Sequence, residues 1–142
     1  GRQSRLATIH LNLGRVLAGR DDFESAIAHY RTSIEYCEDE GQYARAADVA
    51  LRIGMLYEQQ ERLPDAYRLY HEALDLVTDT GEPRTEAHVL YHLAMIADKM
   101  DMTRDARWVA ERSEFLYRES ANEEMADKVE KFVAGLESAQ DG

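Results

Sequence analysis

Two histidines four positions apart are the closest approach to a chemical motif in the sequence. His88 and His92 would lie on one side of a helix, where two imidazoles can bind a transition metal. The segment between them lacks the glutamate of a zinc-protease motif, and no third ligand follows at a suitable spacing. We therefore predict no metal site.

The other reactive side chains are scattered. His10, His29 and His71 fall in different predicted helices and form no catalytic grouping. Cys37 is the only cysteine, which excludes an intramolecular disulfide, and we interpret it as a small packing residue. The sequence has no phosphate-binding loop, no Gly-rich dinucleotide turn and no Gly-x-Ser-x-Gly motif. We predict that the protein is not an enzyme, with no catalytic residue and no cofactor.

The charge balance narrows the class of partner. The 28 acidic and 17 basic residues give a formal charge of −11 at pH 7, which disfavours nucleic acid and anionic membranes because both attract a positive surface. No apolar run approaches the roughly 20 residues of a membrane span, and no signal peptide opens the chain. We predict a cytoplasmic protein that binds protein, without nucleic acid or membrane. Because the chain starts at Gly1 rather than Met, we also predict that it is part of a longer protein.

The elements that must position these residues follow from an internal repeat. Residues of the same or similar type recur at a spacing of 40, as the differences 54 − 14 and 94 − 54 show. The recurring sets are Gly14, Gly54 and Ala94; Ala26, Ala66 and Ala106; Tyr30, Tyr70 and Ala110; Gly41 and Gly81; and Leu13, Ile53, Leu93 and Val133.

Each repeat reads as two helices, because apolar residues recur every three or four positions on either side of a polar turn. Asp21 and Thr103 are predicted N-caps, and Pro64 and Pro83 suit a first helical turn. Gly41 and Gly81 are expected where the second helices end. The predicted helices cover about 3–19, 23–39, 43–60, 64–79, 83–100, 104–119 and 122–138.

In this pattern the sequence resembles the tetratricopeptide repeat, in its longer, forty-residue branch. The matching residues are Leu13, Gly14, Leu17, Ala26, Tyr30 and Ser33; then Ile53, Gly54, Tyr57, Ala66, Tyr70 and Ala73; then Leu93, Ala94, Ala97, Ala106, Ala110 and Ser113. The resemblance implies an all-α, right-handed α-solenoid of three helix pairs plus a C-terminal capping helix. It implies a single domain over residues 1–142, with repeats at about 3–41, 42–81 and 82–121 and the capping helix at 122–138.

The resemblance also implies a concave groove, lined by the first helix of each pair, that binds a peptide or an amphipathic helix. Arg15, Met55 and Met95 stand where Leu-Gly-Asn adaptors carry the asparagine that contacts the peptide, so the groove is expected to be apolar, with Leu51, Tyr91, Met55 and Met95 as anchors. The alternative is that the groove closes and these side chains pack on one another. The groove residues, a name used below for this predicted set, are Leu11, Arg15, Asp48, Leu51, Met55, Glu58, His88, Tyr91, Met95, Asp98, Lys128 and Lys131.

The two ends of the array differ. Glu130 and Glu137 give the last helix a polar outer face, as a terminal repeat needs. Ile9, Leu13 and Val16 form an apolar stripe on the first helix with no preceding unit to cover it. We expect either that the intact protein continues before this edge or that two copies associate through it as a homodimer. The alternative function is therefore a structural or oligomerisation segment of a larger regulatory or assembly protein.

Overall fold

The computed structural model describes residues 1–78, 80 and 82–141. In these residues all regular secondary structure is helical, and no helix has the length and apolar character that crossing a membrane requires. The seven helices are α1 (Arg2–Gly19), α2 (Phe23–Asp39), α3 (Tyr43–Gln59), α4 (Leu63–Val77), α5 (Pro83–Lys99), α6 (Thr103–Glu119) and α7 (Glu123–Asp141). Most ends lie within about one residue of the predicted positions. Pro64 and Pro83 lie in first turns, as predicted.

The turns between helices repeat one backbone conformation. A residue with left-handed φ occurs at Asp21, Gly41, Glu61, Asp101 and Ala121. In each turn two N–H groups donate back to carbonyls of the preceding helix, as from Asp21 to Ala18 at 3.0 Å and from Asp22 to Leu17 at 2.9 Å. This pattern is the Schellman motif. The prediction for Gly41 is confirmed by its φ of 71°, and the one for Gly81 lies outside the described residues.

Two predicted caps are wrong for a reason that these turns supply. The N-cap of α2 is Asp22, whose carboxylate accepts a hydrogen bond from the Ser25 N–H at 3.4 Å. Helix α6 has Met102 at its N-cap and no capping side chain, so Thr103 is already helical. In both places the N-cap is the residue directly after the left-handed one. The turn geometry, rather than the best capping side chain, therefore fixes where the helix begins.

The chain divides into two compact units, Gly1–Thr80 and Gly81–Gly142. In unit 1, α1 packs on α2, α2 on α3, and α3 on α4. In unit 2, α5 packs on α6 and α6 on α7. These consecutive pairs confirm the predicted helical repeat and its additional C-terminal helix.

Each helix pair of unit 1 is closed by a tyrosine ring over a glycine. A Cβ added to Gly14 would lie 2.5 Å from Cε1 of Tyr30, and one added to Gly54 would lie closer still to Cε1 of Tyr70. Both rings are buried, and Ala26 is fully buried in the same pair. The predicted close crossing of the two helices is therefore made by a ring that occupies the space where a glycine has no side chain.

A buried hydroxyl ties the two helices of a pair together in each unit. The Ser33 hydroxyl donates to the Ala7 carbonyl at 2.8 Å in unit 1. The Ser113 hydroxyl donates to the Ala87 carbonyl at 2.7 Å in unit 2. Both serines are fully buried, so the hydrogen bonds satisfy groups that would otherwise be costly to bury.

The predicted apolar stripes of the later first helices and of α7 are buried. They consist of Val49, Ile53 and Leu56 on α3; Val89, Leu93 and Ile96 on α5; and Val129, Val133 and Leu136 on α7. On α7 the opposite side is exposed and acidic, as predicted. Arg118 reaches Glu130 at 2.9 Å, and Arg107 reaches Glu137 at 2.8 Å, so arginines of α6 balance these carboxylates.

Candidate functional site

The groove residues of unit 1 are divided between accessible and buried positions. Arg15 and Asp48 are exposed, Leu11 is partly buried, and Met55 is 36% exposed. Leu51 is only 1% exposed. In this structure Leu51 packs in the interior and offers no surface to a partner, which leaves Met55 as the most accessible apolar side chain, with Leu11 partly accessible.

Glu58 has a structural task besides its place among the groove residues. Its carboxylate accepts a hydrogen bond from the Tyr70 hydroxyl. Burial of the phenol, and then this hydrogen bond to an anion, raise the pKa of Tyr70 well above its ordinary value. The bond fixes the tip of the ring whose edge lies over Gly54, so Glu58 helps to hold the second helix pair together.

The groove residues of α5 in unit 2 are mostly engaged with their neighbours. Tyr91 is buried, and its ring meets that of Phe132 edge to face, with centroids 5.9 Å apart. His88 is partly buried, and its ring lies 4.7 Å from that of His92. Tyr91 therefore packs on α7 and offers little surface to a partner. Met95 remains partly accessible.

The exposed groove residues of unit 2 are charged. Lys128 and Lys131 lie one turn apart on α7, and Asp98 lies near the end of α5. Neither lysine forms an ion pair with any residue in the part of the chain that the structure describes. The basic groups of α6 behave differently, because Arg107 and Arg118 both contact carboxylates of α7. Two lysines without an ion pair among the described residues thus remain in the predicted set on α7.

The predicted N-terminal edge is exposed. Ile9, Leu13 and Val16 are 52%, 43% and 53% exposed. These three residues, which we call the α1 edge, form the apolar stripe whose equivalents on α3, α5 and α7 are buried.

Two of the scattered histidines, on α1 and α2, come together in the structure. The Nδ1 atoms of His10 and His29 are 3.0 Å apart, and the rings stack with centroids at 5.2 Å. No group of three His, Cys, Asp or Glu side chains in the described residues is arranged to hold a metal. Cys37 is fully buried, and burial raises the pKa of its thiol, which disfavours the nucleophilic thiolate.

Sequence reasoning missed an aromatic pair on α6. Trp108 is 68% exposed and Phe115 is 59% exposed, two turns apart on one side of the helix. The repeat itself holds the signal, because the equivalent positions forty and eighty residues earlier carry small or charged side chains. Those side chains are Arg68 and Ala28 for Trp108, and Asp75 and Glu35 for Phe115.

The fold is similar to that of helical repeat proteins of known structure. The N-terminal domain of stress-induced protein-1 (STI-1) from C. elegans aligns with a TM-score of 0.70 at 17% identity, over 92% of this chain and 98% of that domain. BtubC from P. vanneervenii aligns with a TM-score of 0.63 at 14% identity, over 96% of this chain and 65% of that protein. At these identities the likeness shows the fold alone, and it is a tetratricopeptide-like fold.

Comparison of sequences also identifies the family of the chain. No curated protein is significantly similar in sequence. The family model of SNAP, soluble NSF attachment protein, matches residues 2–134, which is nearly the whole chain. Proteins with this type of helical repeat are in general interaction modules or scaffolds without enzymatic activity. The chain belongs to the soluble NSF attachment protein family of tetratricopeptide-like proteins.

Proposed function

We propose that the chain is an adaptor module that holds a peptide or an amphipathic helix of another protein against its groove residues. The observation that carries the proposal is the pair Lys128 and Lys131, exposed and without an ion pair among the described residues of a chain with 28 acidic side chains. Family membership supports the class of partner, since the family name describes attachment to another protein.

The accessible groove residues define the chemistry of this partner. In unit 2 the two lysines favour carboxylates, and Met95 is a partly accessible apolar side chain. In unit 1 Met55 offers a flexible thioether that adapts to apolar side chains of different shapes. Because no asparagine ladder is present to bind the backbone of an extended peptide, recognition would rest on side chains. A segment with acidic residues fits unit 2, and a segment with apolar residues fits unit 1.

The experiment is a capture of partners from the source cell by the immobilised chain, with quantitative mass spectrometry. Met55→Glu places a carboxylate in the groove of unit 1, and the double variant Lys128→Glu, Lys131→Glu reverses the charge in unit 2. We expect the specific partner to be reduced about tenfold or more by each change, which is the size of effect that loss of an interface anchor produces.

The matched control is Phe115→Glu, which makes the same kind of substitution at an exposed apolar position on α6, outside the groove. It should leave capture unchanged, and circular dichroism should show equal helicity in all variants. Capture that survives both groove changes and fails with Phe115→Glu would reject the groove in favour of the α6 surface.

A further inference from the structure

The α1 edge belongs to a longer stripe whose two ends are basic. Its members follow one another at three or four positions, so they lie along one side of α1 and its last turn. All of them are exposed. The stripe consists of Arg2, Arg5, Ile9, Leu13, Val16 and Arg20. It spans about 27 Å, given the 1.5 Å rise per residue of an α-helix.

The repeat shows what kind of element covers such a stripe. The equivalent stripe of α3, which includes Ile53, is buried in unit 1, where α2 packs on α3. The equivalent stripe of α7, which includes Val133, is buried in unit 2, where α6 packs on α7. Within each unit the occupant is therefore a helix.

Charge distinguishes the α1 stripe from these covered ones. Helix α1 contains no acidic residue, although the chain as a whole has a formal charge of −11. Arg2, Arg5 and Arg20 make no ion pair with any residue that the structure describes. The nearest acidic residues in sequence, Asp21 and Asp22, lie in the turn beyond the stripe, and Asp22 is used as the cap of α2. The stripe thus presents an apolar centre between two ends whose arginines form no ion pair among the described residues.

The α6·α7 pairing shows that arginines and carboxylates of neighbouring helices pair in this fold. Helix α6 supplies the arginines and the exposed side of α7 supplies the carboxylates, as in Arg118 with Glu130 at 2.9 Å and Arg107 with Glu137 at 2.8 Å. On the α1 stripe the arginines are already present. A matching helix then brings the carboxylates.

From this arrangement we infer that the α1 stripe is a second docking surface, which takes a partner helix with an apolar seam and acidic residues at both ends. The surface is distinct from the groove residues and does not depend on them. A second copy of the chain is a poor occupant. Because both ends of the stripe are basic, parallel and antiparallel pairing of two α1 helices would each set arginine against arginine.

Two synthetic peptides serve as probes. Both are amphipathic helices of about 20 residues, long enough to span the stripe at 1.5 Å per residue, with leucines spaced as Ile9, Leu13 and Val16 are. One has glutamates at both ends of its seam and the other has lysines there. Fluorescence anisotropy of the labelled peptides measures binding. We expect the glutamate peptide to bind about tenfold or more tightly than the lysine peptide, since like charges face each other in the second case.

Protein variants separate the charge from the apolar centre. Arg2→Glu, Arg5→Glu and Arg20→Glu combined should reverse the preference and favour the lysine peptide. The double variant Ile9→Ser, Leu13→Ser should weaken the binding of both peptides. Phe115→Ser is the matched control at an exposed apolar residue elsewhere, and it should change neither. Circular dichroism verifies that each variant keeps its helices.

Equal binding of the two peptides, or failure of both to bind, would overturn the inference. Two further measurements test the other possible occupants of the stripe. Light scattering tests for a second copy of the chain, and sedimentation with phosphatidylserine vesicles tests for a membrane. The inference expects a monomer that does not sediment with the vesicles. A dimer that Ile9→Ser with Leu13→Ser dissociates would assign the stripe to a second copy, and vesicle binding lost in the glutamate variant would assign it to a membrane. Either result would replace the proposed helix.

Discussion

The first two helix pairs and the third solve the same packing problem with different side chains. In α1–α2 and α3–α4 a tyrosine ring lies over a glycine, as Tyr70 does over Gly54. In α5–α6 the equivalent residues are Ala110 and Ala94, and both are fully buried. In the third pair, one alanine thus stands in place of the tyrosine and another in place of the glycine. The two positions therefore act as a unit of complementary volume, and the repeat requires neither the tyrosine nor the glycine alone.

The largest effect should come from removing a ring without filling its place. Tyr70→Ala leaves a cavity over Gly54 and leaves Glu58 without its phenol donor. We expect a loss of about 3–5 kcal/mol in the free energy of unfolding, measured by urea denaturation, as for other buried aromatic residues. Trp108→Ala is the control, since that larger side chain is mostly exposed and should cost much less. Equal losses would contradict the packing assigned to Tyr70.

The coupling between the two positions can be measured directly. Gly54→Ala alone pushes a methyl group into the Tyr70 ring and should cost about 1–3 kcal/mol, as overpacking generally does. The double variant with Tyr70→Ala reproduces the residues of the third pair. We expect its cost to be at least about 1 kcal/mol less than the sum of the single changes, because the added methyl enters the space that the ring leaves. Strict additivity would show that the positions are independent.

Much of this fold follows from the sequence because its turns repeat. The helix ends were predictable since each turn ends a helix at a fixed place, and the small residues at Gly14 and Gly54 pointed to a close crossing. The N-cap residues were not predictable, because the N-cap is the residue after the left-handed one, whichever side chain the N-cap carries. A Met102 in that position cannot be recognised by capping preference.

The candidate site was predictable only in part. Helical phase places Leu51 and Met55 on one side of α3, but it does not give the depth to which each is buried, and only Met55 is accessible. The exposure of Trp108 was missed for a related reason. Apolar residues on an amphipathic helix are assigned to the core by default, and only comparison with Arg68 and Ala28 shows that the fold does not need an aromatic there.

A smaller change tests the hydroxyl that distinguishes the tyrosine from a simple ring. Tyr70→Phe keeps the ring over Gly54 and removes the hydrogen bond to Glu58, so we expect a loss of about 1–2 kcal/mol at neutral pH. The raised pKa of Tyr70 adds a pH signature. Because the folded state holds the proton more tightly, stability is fully present below about pH 10, where unfolded tyrosine ionises, and is lost as the pH rises above it.

The measurement for this prediction is the urea midpoint as a function of pH, for the parent and for Tyr70→Phe. The variant should lose less stability than the parent between neutral and alkaline pH, since it no longer carries that group. Burial also raises the pKa of Tyr117 to about 12, so part of the alkaline loss should persist in both proteins. Identical alkaline curves would reject the role assigned to the Tyr70 phenol.

The smallest effect concerns the turns within and between pairs. Glu61 has a φ of 57°, where a side chain is strained, and the equivalent position between the first two pairs is Gly41. Glu61→Gly should therefore raise the free energy of unfolding by roughly 1 kcal/mol, and Gly41→Ala should lower it by a similar amount. Thermal denaturation of both variants is the measurement. Changes of the same sign would show that the turns are not equivalent.

Amide hydrogen exchange with and without the captured partner tests whether the chain holds a protein partner through its groove residues. We expect slower exchange on α3 around Met55 and on α7 around Lys128 and Lys131. We expect no change on α6 around Trp108 and Phe115. Protection confined to α6, with α3 and α7 unchanged, would reject this function and assign binding to the aromatic surface of the third pair.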